Sequence, residues 1–139
     1  MYNSIVMAHD GWRWIVILIG LVFLIKMILG MVQKSKWSKL DRQLGLFTTI
    51  AVDIQVLLGL IVWGVGLAGK AWWTASMSVP PYMEHPVTML VAVTVMHIGW
   101  ARAKKASTDA GKFQQALIWF AVAGLLIALG ISQVTGGAA

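Results

Sequence analysis

No cysteine occurs in the 139 residues, which excludes disulfides, thiolate metal sites and iron–sulfur clusters. Acidic groups number only five, without a carboxylate pair of hydrolytic geometry, and neither a Gly-rich phosphate loop nor a nucleophile triad is present. Charge of either sign is thin at 12% of residues, against 59% hydrophobic residues and a mean hydropathy of +0.79. That balance excludes an ordinary soluble domain and points to an integral membrane protein that is not an enzyme in its own right.

Four apolar runs are long enough to cross a hydrocarbon layer that takes roughly 20 helical residues. They extend from about Trp12 to Val32, Leu44 to Leu67, Pro86 to Ala101 and Phe113 to Gln133, the third reaching a full span only when Glu84 and His85 are counted. Period-2 alternation is absent and lipid leaves no sheet edge unpaired, so each run reads as helix. The expected fold is all-α, one domain over residues 1–139, with four transmembrane helices in an up-down bundle.

Lys34, Lys36, Lys39 and Arg42 follow the first run, and Arg102, Lys104, Lys105 and Lys112 follow the third. Only Asp41 and Asp109 oppose them. By the positive-inside rule the loops 33–43 and 102–112 face the cytoplasm, which places both termini outside and the chain in a bacterial inner membrane as a multi-pass protein. The net charge of +6 therefore reflects topology and attraction to anionic lipid, and nucleic-acid binding is not implied. The N-terminus has neither a basic n-region nor a cleavage site, so the first helix is expected to be retained.

Between the second and third runs, Trp72, Trp73 and Tyr82 suit an interfacial aromatic belt. Pro80 and Pro81 are expected to end any helix there and to leave the connection along the membrane surface. Pro86 fits the first turn of the third helix. Gly59, Gly64, Gly66 and Gly124 with Ala128 offer small positions for close helix approach, and the methionines and tryptophans read as lipid-facing or interfacial bulk.

"HD" opens the first helix and "EH" the third, each followed by a helix, a basic loop and a second helix. This weak symmetry sets His9 and His85 at similar depth near the outer surface. Two neutral imidazoles on neighbouring helices can ligate a haem iron, with Arg13, four residues beyond His9, pairing a haem propionate. The alternative is a polar cap, in which Asp10, Arg13, Glu84 and the histidines fix the helix ends while Trp12 and Trp14 anchor the interface.

Lys26, Asp53 and His97 all fall in the cytoplasmic half. Depth makes Lys26 and Asp53 an expected ion pair, with His97 and the Gln55 amide as neighbours. Such a cluster can move protons or contact a quinone, or it can only set helix register. His85 and His97 lie about 18 Å apart along a helix and cannot share one metal. A chlorophyll on His97 alone is not expected.

"HDGWRWIV" and "EHPVTMLVAVTVMHIGWARAKK" together resemble a group of small four-helix bacterial membrane proteins, labelled cytochrome-b-like, of the Bacteroidetes and Chloroflexi type. The resemblance covers nearly the whole chain. It implies a haem-binding or electron-transfer-associated subunit, with His9 and His85 as outer histidines and His97 as the inner one. Asp53 departs from the pattern, since some members have a histidine before "IQ"; a second haem on His97 is therefore not implied. The function expected is an accessory subunit of a respiratory or photosynthetic quinone-linked electron-transfer complex, holding haem b through His9 and His85. A cofactor-free assembly subunit, and a proton-coupled transporter using Lys26, Asp53 and His97, are the alternatives.

Overall fold

The computed structural model describes residues 2–69 and 80–135, and these form four α-helices: α1 (Tyr2–Val32), α2 (Lys39–Gly69), α3 (Pro80–Lys105) and α4 (Asp109–Thr135). Each is long and apolar enough to cross a membrane. Their outward surfaces carry residues such as Leu18, Leu57 and Leu125, each well over half exposed, an arrangement that lipid accepts and water does not.

The helices outrun the apolar spans at both ends. Past the hydrocarbon, charged side chains are compatible with a helical backbone, so α1 takes in His9 and Asp10, and α3 continues through Arg102, Lys104 and Lys105. Pro80 and Pro81, expected to end any helix before them, start α3, where their missing N–H groups cost least; the connection they were expected to leave along the membrane surface lies outside the described residues. Pro86 is consequently inside α3 instead of in its first turn, and it removes one i→i−4 bond just after His85. The aromatic belt expected of Trp72 and Trp73 lies outside the described residues.

α1 packs on α2, α3 on α4, α4 against α1 and α2 against α3, leaving α1 and α3 on one diagonal. The α1–α2 register is antiparallel: Trp12 Nε1 donates to Ala51 O at 2.8 Å, while Lys26 meets Asp41 at 2.7 Å. Trp12 is thus a partly buried hydrogen-bonding residue between helices, whereas Trp14 stays exposed.

The connections are tightly capped. Ser35 N donates to Gly30 O (3.0 Å) and Lys34 N to Met31 O (3.3 Å), a Schellman motif closing α1 with Lys34 at φ 51°. An L-residue with a side chain pays about 1–2 kcal/mol in that region, which glycine avoids. Lys34→Gly is expected to stabilise the protein by about 0.5–1 kcal/mol, read as a higher melting temperature in detergent, with Lys34→Ala giving no gain. At the start of α2, Asp41 Oδ2 accepts from Ser38 N (2.8 Å) and Ser38 Oγ (2.9 Å), and Asp41 N donates back to Ser38 Oγ (3.3 Å). This is a capping box.

The core is uneven along the bundle. Toward the two short connections it is an aromatic plug: Phe23 stands 4.7 Å from Phe120 and 6.2 Å from Trp100, and Trp37 from the α1–α2 loop stands 5.1 Å from Phe113 (ring centroids). Met27 and Met96 are buried in it, so methionine and tryptophan supply core here as well as lipid-facing bulk. Gly45 and Gly99 leave the room that Trp100 and Trp119 occupy. Gly64 and Gly124, expected at close approaches, face nothing within contact distance. Toward the other end, where α1 and α3 begin, the bundle hollows out.

Candidate functional site

The hollow is a cavity of about 560 Å³ lined by side chains of all four helices, mostly aliphatic, among them Val16, Val56, Met89 and Ile127. That volume lies within the range of about 300–1,000 Å³ typical of cofactor and ligand sites. His9, Asp10 and Arg13 from α1, Gln55 from α2 and His85 from α3 supply its polar groups.

His9 and His85 meet across the α1–α3 diagonal with ring centroids 6.4 Å apart and planes at 83°. A ligating imidazole nitrogen stands about 2 Å from its metal and about 1 Å from its own ring centre, so two imidazoles on opposite sides of one metal have centroids about 6 Å apart. The observed spacing fits that requirement. His85 Nδ1 lies 2.7 Å from Gly130 O; a carbonyl only accepts, so Nδ1 carries the hydrogen and Nε2 keeps its lone pair. A Cβ at 130 would stand at ordinary contact distance, 3.5 Å, from Nδ1, and would displace only the flexible end of Met89.

The α1–α2 hairpin holds the other ring. Gln55 Nε2 donates to His9 O at 2.9 Å, and a Cβ on Gly59 would stand 3.0 Å from His9 Cε1, so the ring is seated against bare helix backbone. His9 Nδ1 and Gln55 Oε1 are both buried without a hydrogen-bond partner, an unusual cost beside an apolar cavity. Among the described residues no group of three histidine or carboxylate side chains converges that could hold a bare metal ion. A porphyrin brings four nitrogens of its own and asks the protein for at most two more ligands, so a histidine pair is a chemically sufficient donor set for one.

Arg13 lines the same cavity, its Cζ 5.4 Å from the Trp14 ring centroid. Among the described residues it forms no ion pair with Asp10 or Glu84.

Lys26, Asp53 and His97 do not gather. Lys26 Nζ pairs with Asp41 Oδ1 (2.7 Å), whose side chain is fully buried, and not with Asp53. Asp53 Oδ1 pairs with His97 Nε2 (2.7 Å) on the outside of the α2–α3 seam, about half exposed. Gln55, expected beside this inner group, is at His9. The hairpin register decides this: Lys26 is level with Asp41, whereas Asp53 lies twelve residues, about 18 Å, further along α2, at the level of Trp12. The transporter reading loses its three-residue path.

Ser38, Gln55, Gly59 and Gly130 escaped sequence reasoning as positioning residues. The Ser-x-x-Asp spacing before an apolar run announces Ser38 and Asp41. Counting back from the 33–38 connection sets residue 62 level with His9, so the sequence gives no signal for Gln55, which the observed Trp12–Ala51 register brings there. No sequence signal separates Gly59 and Gly130 from the other glycines.

Comparison of the chain with protein-family models, with curated proteins and with solved structures gives no match.

Proposed function

We propose that the chain is a small multi-pass subunit of the bacterial cytoplasmic membrane that holds a b-type haem between His9 and His85 and serves quinone-linked electron transfer within a larger complex. The observation that carries this is the diagonal histidine pair, 6.4 Å between centroids at a 560 Å³ apolar cavity. With no cysteine, any haem held here is bound without a covalent link. The haem supplies a one-electron redox couple. His85, oriented by Gly130 O, and His9, seated against Gly59, would hold such a group, Arg13 would pair with its carboxylate, and the aliphatic walls would exclude water. Basic residues of the two short connections, at the opposite end of the bundle, argue for a cofactor near the outer surface, with both termini outside. The resemblance to cytochrome-b-like membrane proteins agrees with this reading.

Protein reconstituted with haemin is expected to bind one haem per chain and to show a sharp α band on dithionite reduction. A featureless difference spectrum overturns the proposal and leaves a cofactor-free assembly subunit. Co-purification under mild solubilisation tests the membership of a complex, which fails if no other chain travels with the protein.

A further inference from the structure

The Asp53–His97 pair takes no part in that site, and its position is costly. Asp53 is about 21 Å from one end and about 18 Å from the other end of its span Lys39–Val65, at about 1.5 Å per residue. Yet the side chains of Asp53 and His97 are 46% and 50% exposed on the outer face of the bundle. Around them that face is apolar or weakly polar: Ile50, Leu57 and Leu60 on α2 and Leu90, Thr94 and Ala101 on α3 are all exposed, three or four residues apart. Two helices thus present parallel stripes of the kind that packs on another helix, each with an ionisable group at its centre. Ionisable groups at this depth are found facing protein or a water-filled cavity, so this face is covered in the working protein.

The unused hydrogen-bonding atoms identify what covers it. The 2.7 Å contact uses His97 Nε2 and Asp53 Oδ1. With the hydrogen of that contact between Nε2 and Oδ1 and a second ring hydrogen on Nδ1, His97 Nδ1 is a further donor and Asp53 Oδ2 a further acceptor. No described residue meets either atom. One free donor and one free acceptor form a set complementary to itself. Copies inserted in one membrane share an orientation, so a two-fold axis along the membrane normal brings equal depths together. We propose that the α2–α3 face is a homodimer interface in which His97 Nδ1–H of each copy donates to Asp53 Oδ2 of the other. A quinone or lipid carbonyl would take the donor and leave the carboxylate oxygen unmet. This inference does not depend on haem binding.

Because the chain has no cysteine of its own, engineered thiols report contacts cleanly. Two differently tagged copies, one carrying Leu57→Cys and the other Thr94→Cys, each about one turn from the pair, are co-expressed and oxidised in the membrane. A disulfide-linked species bearing both tags is expected, and none from Leu18→Cys with Leu125→Cys on the outer faces of α1 and α4. Replacing Asp53 and His97 together by leucine in both copies is expected to lower the cross-linked yield about tenfold. The proposal is overturned by a one-chain mass in mild detergent without cross-linking, by equal cross-linking of the control pair, by an adduct with a different chain, or by an unchanged yield in the leucine variant.

Discussion

His85→Ala protein reconstituted with haemin is expected to show no sharp α band on reduction while keeping its helix content. Disturbing only the support of a metal ligand costs about 10–100-fold in affinity, so removing the ligand itself costs about 100-fold or more. The fold loses little by comparison. His85 gives up one hydrogen bond to Gly130 O, worth about 1 kcal/mol, and the aromatic plug around Phe23, Trp100 and Phe113 lies at the other end of the bundle. Alanine also leaves a ring-sized space between α3 and α4, so free imidazole is expected to restore the band, which a merely structural histidine cannot explain. His9→Ala should behave alike. If wild-type protein itself shows no band under the same reconstitution, the histidines are a helix-end contact and the haem proposal is wrong.

The four helices are legible in the sequence because lipid imposes one dominant rule, a run of apolar residues long enough to satisfy its own backbone. Their true ends are not, since hydropathy falls where Asp10 or Arg102 enters while the helical backbone continues. Rotation about each axis is also hidden. Helices apolar on nearly every side lack the stripe that in a soluble bundle marks the core, so nothing distinguishes Phe23, wholly buried, from Leu21, half exposed. The matching depth of His9 and His85 could be read from the paired "HD" and "EH", and the structure does bring the two rings together. For Lys26, depth named Asp53, but the residue that meets it is Asp41, which the sequence places among loop charges. Its burial depends on Ser38 closing the loop beneath it.

Asp41→Ala is therefore expected to destabilise the protein by about 3 kcal/mol, whereas a solvated loop carboxylate would change stability by less than about 0.5 kcal/mol. Two contributions combine. Ser38 N and Oγ lose the carboxylate that forms the side-chain half of the capping box, at about 1 kcal/mol or more, and Lys26, only 31% exposed, is left without its counter-charge. The opposite variant, Lys26→Met, leaves a wholly buried carboxylate bonded to Ser38 but without its counter-charge. Its cost should be of similar size, about 3 kcal/mol, and removing both groups should cost less than the two single changes added, with a coupling of about 1–3 kcal/mol. Unfolding titrations of the four proteins in mixed micelles give the cycle directly. Additivity within about 0.5 kcal/mol would mean that the 2.7 Å contact contributes nothing and that Asp41 acts through the cap alone. Strong coupling would make the pair a staple of the α1–α2 hairpin, the same hairpin whose register carries Gln55 to His9. A loosened Lys26–Asp41 end should then also weaken the proposed haem binding at the far end of the bundle, by less than the direct loss of a ligand.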